Sequence, residues 1–248
     1  YEKKGSIISF TGPTSHAIYT SDYTTSDSFG RTWKTCLDGR SGSNCATGST
    51  TSSDLAAALP VCAALNSVNA GNGYAGKTDW RLPSIQELKY IANYSLTNPA
   101  INTTFFPNSS GQYVWTTTDQ AIGPTYAWTV RLGAYAEILA QLKTDNVNKG
   151  TRCVSGSNTW PAQSFTDNGD ESILDNTTGL IWRKCVAGLS GTTCASGSAT
   201  TLDWASAIVY CNTLNLGGRT WRLPNLTELS SIVDITKVAS PAINTTYF

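Results

Sequence analysis

Methionine is absent from the 248 residues, histidine occurs once, at His16, and Asp, Glu, Lys and Arg together supply only 14% of the chain. Each scarcity narrows the possible functions. A chain without methionine that starts at Tyr1 is expected to have lost a leader or to belong to a longer polypeptide. One histidine, with no Cys-x-x-Cys pair, falls short of the usual zinc ligand sets, so no metal and no cofactor is expected. Lys plus Arg and Asp plus Glu both number 17, so the net charge is zero. A nucleic acid or anionic membrane held by bulk charge is therefore not an expected partner. No apolar run approaches the roughly 18 residues of a membrane span. No glycine-rich phosphate loop is present, because the glycines fall between strand-like runs.

What is present is cysteine, seven in all, on a background rich in Ser, Thr, Asn and Gly. That combination points to an oxidising, extracellular or cell-surface location and to disulfides rather than metal. The cysteines also reveal a repeat. Trp33-Lys34-Thr35-Cys36 is echoed by Trp182-Arg183-Lys184-Cys185, Cys45 by Cys194 and Cys62 by Cys211, all at an offset of 149. Trp80-Arg81-Leu82-Pro83 returns as Trp221-Arg222-Leu223-Pro224 at an offset of 141. The segment from Pro99 to Phe106 returns as Pro241 to Phe248. The change of offset places an eight-residue insertion in the Gly/Asn-rich stretch 68–77 of the first copy, a loop. The chain is thus read as a lead, residues 1–15, a first copy, 16–156, a linker, 157–164, and a second copy, 165–248. The second copy is expected to be incomplete, since nothing in it answers residues 107–155.

Each copy opens with short strand-like segments ending at the Trp-x-x-Cys. A helix is then predicted over 54–65, with Pro60 expected to kink or interrupt it, and over 203–214. In the latter, Trp204, Ile208 and Cys211 or Leu214 share one face, whose covering strands the second copy is expected to lack, and Thr200 or Thr201 is the expected cap. A second helix follows each Trp-Arg-Leu-Pro. Ser84 with Glu87, and Asn225 with Glu228, have capping-box spacing. Beta-branched and aromatic runs at 113–117, 126–132, 138–142 and 151–154 read as antiparallel strands. Two helices followed by an antiparallel sheet define an α+β domain.

Thr178-Gly179-Leu180-Ile181-Trp182, the Asp203-Trp204-Ala205-Ser206-Ala207-Ile208-Val209-Tyr210-Cys211-Asn212 helix, Trp221-Arg222-Leu223-Pro224-Asn225, the closing Pro241–Phe248 segment and Arg152-Cys153-Val154 together resemble the Lcl C-terminal domain family. The resemblance covers nearly the whole chain. It implies an exported bacterial protein made of tandem C-type-lectin-like domains, and glycan binding by analogy with a family adhesin that recognises sulfated polysaccharides. Two features depart from that picture. The Glu-Pro-Asn, Gln-Pro-Asp and Trp-Asn-Asp signatures of calcium-dependent lectins are missing, and the zero net charge does not suit a sulfated polymer.

The cysteines sort by spacing. Cys36 and Cys45, like Cys185 and Cys194, bracket a short Gly/Ser-rich loop and are expected to pair, which leaves Cys62 for Cys153 and Cys211 without an assigned partner. Glu87 and Glu228 could act as general bases, but capping accounts for them; no nucleophile accompanies them, and an enzyme is not expected. The run Asp167-Asn168-Gly169-Asp170-Glu171 reads as a hairpin turn rather than a calcium loop, because the ligand spacing stops short. Trp33, Trp80, Trp182 and Trp221 are assigned to the core, and Trp115 and Trp128 preferentially so. A ligand surface, if one exists, is placed at Tyr113, Tyr126 and Arg131. Alternation puts Tyr126, Trp128 and Val130 on one strand face and Ala127, Thr129 and Arg131 on the other. Aromatic faces and a polar handle suit sugar rings. The expected function is a surface adhesin or carbohydrate-binding module acting on a glycan or a host surface. The alternative is a self-associating structural subunit of an extracellular filament or pilus-like appendage.

Overall fold

The structure, a computed structural model, describes residues 8–109, 111–133, 135–157, 162–235, 237–238 and 240–248. Most of the predicted lead, 1–7, and the middle of the predicted linker, 158–161, lie outside the described residues. The chain divides into two compact units, Tyr1–Trp160 and Pro161–Phe248.

The first unit starts with β1 (Phe10–Ser15), β2 (Tyr23–Asp27) and β3 (Thr32–Lys34), joined as antiparallel neighbours. A small hairpin, β4 (Arg40–Ser41) and β5 (Thr47–Gly48), straddles Cys45, which is bonded to Cys36. Helix α1 (Leu55–Ala64) follows, capped by Asp54, whose carboxylate accepts from the Ala57 amide. Leu55, Ala58 and Cys62 recur at helical spacing and are its buried face. Pro60 neither interrupts nor ends this helix, contrary to expectation. It stands on the exposed side with Ala56, so the carbonyl deprived of its donor faces water.

The inserted stretch folds into two tight turns, Asn69–Gly71 and Tyr74–Gly76. These tie the loop to β2: the Tyr23 amide donates to the Tyr74 hydroxyl, and Asn69 and the Ala75 amide both donate to Asp22. Helix α2 (Ile85–Ile91) begins at the predicted capping box of Ser84 and Glu87.

Four strands follow: β6 (Tyr113–Asp119), β7 (Tyr126–Leu132), β8 (Ala136–Leu142) and the short β9 (Lys149–Gly150). They form a sheet of order β8-β7-β6-β9, in which β9 runs parallel to β6. Strand β10 (Val154–Ser155) leaves this sheet and joins β3. The single antiparallel sheet expected from sequence is therefore two four-stranded sheets, and of the strand expected at 151–154 only Val154 is in a strand, β10. Cross-strand partners point to one face, so Trp115 and Ala127 meet α1, while Val114, Val130 and Leu132 fall on the α2 side and are buried. Leu55, Ala58, Cys62, Trp80, Leu82, Trp115, Ala127 and Cys153 make one core cluster.

The second unit repeats the first half of this plan. Strands β11 (Phe165–Asp167), β12 (Ser172–Asp175) and β13 (Ile181–Arg183) form an antiparallel sheet, with the expected hairpin at Asn168-Gly169. A small hairpin, β14 (Leu189–Ser190) and β15 (Ser196–Gly197), straddles Cys194, which is bonded to Cys185. Helices α3 (Trp204–Thr213) and α4 (Leu226–Ser231) follow. Asp203 caps α3, not Thr200 or Thr201, because its carboxylate reaches the Ser206 amide. The core joins Phe165, Ile173 and Ile232, with Trp182, Ile243, Tyr247 and Phe248 packed against it.

The apolar face assigned to α3 is not buried: Trp204 is 72% exposed. Its counterpart Leu55 is covered by the cluster that includes Trp115 and Ala127 of the large sheet. No such sheet occurs among the described residues of the second unit. Trp182 and Trp128 are only half-buried, whereas Trp33, Trp80, Trp115 and Trp221 are buried. The disulfides are Cys36–Cys45, Cys62–Cys153 and Cys185–Cys194, as spacing required, and Cys211 is a free thiol.

Candidate functional site

Strand register brings Tyr113, Arg131 and Glu137 into one row, because Tyr113 pairs with Arg131 and Arg131 with Glu137. The Tyr113 hydroxyl donates to Glu137 Oε2 at 2.9 Å, and an Arg131 guanidinium nitrogen lies 3.6 Å from the same oxygen. The Tyr113 ring lies near two cations: Arg131 Cζ is 5.2 Å and Lys149 Nζ 5.1 Å from its centroid. Lys149 is itself buried and paired with Asp145 at 2.7 Å. These contacts explain the electrostatics. Burial, followed by the Glu137 carboxylate, pushes the Tyr113 phenol up. The Tyr113 hydroxyl in turn holds Glu137 below the usual carboxylate range. Tyr135, also within hydrogen-bonding influence of Glu137, is 63% exposed beside this row.

Tyr126 pairs with Leu142 and stands on the opposite face of the sheet from Tyr113 and Arg131. The three candidate residues thus divide two and one, as alternation required. Glu137, Lys149 and Tyr135 were missed. Arg131 and Glu137 flank the short connection between β7 and β8, where Leu132 pairs with Ala136 and Arg131 with Glu137. Lys149 had no sequence signal, since β9 reaches β6 through a parallel, non-local pairing.

The row can accept and donate hydrogen bonds at a surface. Part of Arg131 is open, its side chain 38% exposed, and its Nε is a buried donor without a partner.

Glu87 and Glu228 are held in structural roles. Glu87 accepts from Arg81 at 2.9 and 2.8 Å and from the Ser84 amide at 2.7 Å, and Glu228 accepts from Arg222 and the Asn225 amide. His16 stacks on Tyr19 and accepts from the Ile18 and Tyr19 amides. In the second unit Asp167 pairs with Lys184 and Asp170 with Arg219, so this turn spends its carboxylates on cations of its own chain. Among the described residues no three His, Cys, Asp or Glu side chains gather as metal ligands, and no helix is long and apolar enough to cross a membrane. A separate cleft of about 240 Å³ is lined by Ile8, Ser9, Phe10, Ile91, Ala92, Asn93, Asn102 and Phe105, with no ionisable side chain in its wall.

The architecture is that of a repeated, disulfide-bonded α+β module with a polar aromatic row on its larger sheet. The profile of the Lcl C-terminal domain matches residues 23–155 and 171–248, and the chain belongs to that family. Comparison with curated proteins gave no match, and comparison with solved structures gave none.

Proposed function

We propose that the protein is an exported bacterial binding module, not an enzyme, whose first copy holds a glycan at the Tyr113–Arg131–Glu137 row. The two copies are read as C-type-lectin-like domains. Three disulfides support an extracellular or cell-surface location. The observation that carries the reading is the row itself: a tyrosine fixed by a carboxylate, an arginine with an open edge, and exposed Tyr135 beside them. Vicinal hydroxyls suit an Arg and Glu side by side, and Tyr135 offers a ring face to stack on a sugar. Tyr126, on the other face, is an alternative contact and serves as the control.

Glycan-array binding by the wild type, Arg131→Ala and Tyr126→Ala proteins tests this. Loss of a charged hydrogen bond should weaken binding about 10- to 100-fold in Arg131→Ala, with Tyr126→Ala unchanged. A wild-type protein that retains no glycan, or binding equal in all three, refutes the reading.

A second reading, a filament subunit, is favoured by β8. This seven-residue outer strand carries half-exposed Leu139 and Leu142, and an open apolar edge is a template for pairing between copies. Negative-stain images showing fibres that vanish in Leu139→Lys would select it.

A further inference from the structure

The charges around the Tyr113–Arg131–Glu137 row are arranged in pairs. Arg131 Nη1 lies 3.6 Å from Glu137 Oε2, and Lys149 Nζ lies 2.7 Å from Asp145 Oδ2. Two cations thus face two carboxylates, and the row has no net charge of its own. The two pairs differ in what they leave open. Lys149 is 2% exposed, and its ammonium also donates to the Val147 carbonyl, so it is spent inside the chain. The Arg131 and Glu137 side chains stay 38% and 18% exposed. Their contact is longer than a hydrogen bond, so the guanidinium keeps donors and the carboxylate keeps lone pairs for a ligand. Next along the same sheet face stand Thr129 and Leu139, paired on β7 and β8 and both uncharged. Tyr135 flanks the row from the connection between these strands.

An anionic group that approaches Arg131 meets Glu137 as well. A sulfate or carboxylate seated against the open edge of the guanidinium comes close to the Glu137 carboxylate, and at comparable distances repulsion cancels most of the attraction. A hydroxyl meets no such repulsion. Its oxygen accepts from the guanidinium and its proton is donated to the carboxylate, so two adjacent hydroxyls of a sugar ring can satisfy both groups at once. Glu137 keeps its charge at neutral pH, because the Tyr113 hydroxyl donates to it at 2.9 Å and holds it below the usual carboxylate range.

We infer that Glu137 is a specificity-determining residue, which restricts the row to uncharged sugars and turns away sulfated, sialylated and uronic glycans. The inference rests on the glycan reading of the row and adds the class of sugar the row takes. The zero net charge of the whole chain does not decide this, since a neutral chain can still carry a basic patch; the local pairing does. Glu137 also fixes Tyr113, and a glutamine keeps that contact because its side-chain carbonyl still accepts from the hydroxyl. One substitution therefore separates charge from geometry.

That substitution, Glu137→Gln, is compared with the wild type and Arg131→Ala in the full 248-residue chain. The probes are neutral oligosaccharides of galactose, mannose, glucose and N-acetylglucosamine on one side, and heparin, chondroitin sulfate and sialyllactose on the other. Binding is read at about 0.05 M and about 0.5 M NaCl, which bracket weak and strong screening of charge. The wild type is expected to hold a neutral glycan at least about 10-fold more tightly than any anionic one, with less than about 2-fold change between the two salts. Glu137→Gln should bind the anionic glycans at least about 10-fold better than the wild type at low salt and lose that gain at high salt, because Arg131 then stands without its counter-ion. A wild-type preference for heparin or chondroitin sulfate that Arg131→Ala abolishes overturns the inference and leaves the glycan reading in place. Neutral binding by the wild type with no anionic gain in Glu137→Gln does the same. A wild type that retains no glycan, or anionic binding that Arg131→Ala leaves intact, refutes the glycan reading itself and the inference with it.

Discussion

Replacing Glu87 and, separately, Glu228 by alanine probes one sequence motif in two surroundings of the same chain. Both glutamates close a capping box and accept two bonds from an arginine six residues earlier. They differ in what removal strands. Glu87 is fully buried, and Arg31, only 4% exposed, approaches it to 3.7 Å in addition to Arg81. Arg31 is itself tied to Asp27 at 2.8 Å, so two cations share two carboxylates in a dry site. At the offset of 149 the position of Arg31 is taken by Leu180, not a second arginine, and the Arg222 side chain is 42% exposed. Breaking a buried pair by removing one partner costs about 3–5 kcal/mol, since the remaining charge is left unpaired. In the second unit Arg222 can turn to water, and the loss is chiefly the cap and a surface pair, about 1–2 kcal/mol. Hydrogen exchange read by mass spectrometry separates the units. At about 1.4 kcal/mol per decade, protection over 85–91 should fall by roughly two to three orders of magnitude in Glu87→Ala, and that over 226–231 by about one in Glu228→Ala. Equal losses, or a larger loss in the second unit, would refute the assignment of the difference to buried charge.

Removing the long-range disulfide by Cys62→Ala with Cys153→Ala should cost about 4–5 kcal/mol, and removing Cys36 with Cys45 about 2.5–3, by loop-closure entropy over separations of 91 and 9 residues. Urea unfolding checks the order, and the reverse order would contradict it. Burial lowers the ammonium of Lys34 to about 8. The unfolded state then binds more protons than the folded state between about pH 8 and the ordinary lysine value of 10.5, and stability rises with pH there. The Tyr74 phenol, raised to about 12 by burial, acts in the opposite sense above about pH 10. Burial lowers the Lys89 ammonium to about 8 as well, so urea titrations of a Cys211→Ser background from pH 8 to 10 should show a rise of on the order of 1–2 kcal/mol per pH unit that Lys34→Met reduces and the double variant with Lys89→Met reduces further; a flat profile would remove the desolvation argument. Trp204→Ser, at a side chain 72% exposed in a helix face without a cover, should change the stability of the chain by less than about 1 kcal/mol, whereas Leu55→Ser at the matching buried position should cost several by thermal unfolding.

The repeat, the two short-loop disulfides, the capping boxes and the Asn168-Gly169 hairpin were legible in the amino-acid order, because each depends on residues close in sequence or on the identity of a repeated motif, and Cys62–Cys153 followed by elimination. Pro60 was misjudged because the cost of a proline depends on which side of the helix its orphaned carbonyl faces, and that is set by packing. The face of α3 was correctly drawn and is open, since a helical stripe states what could be covered and not what covers it. Among the candidate ligand residues, strand alternation separated Tyr126 from Arg131 without a structure. The union of Tyr113 with Glu137 and Lys149 needed β-pairings of Tyr113 with Arg131, across 18 residues, of Arg131 with Glu137, and of Tyr113 with Lys149, across 36 residues and parallel. Local order thus determined which elements form and which cysteines close short loops. Tertiary structure alone decided which strands share a sheet and which charges are dry, because those depend on partners that no fixed spacing in the chain announces.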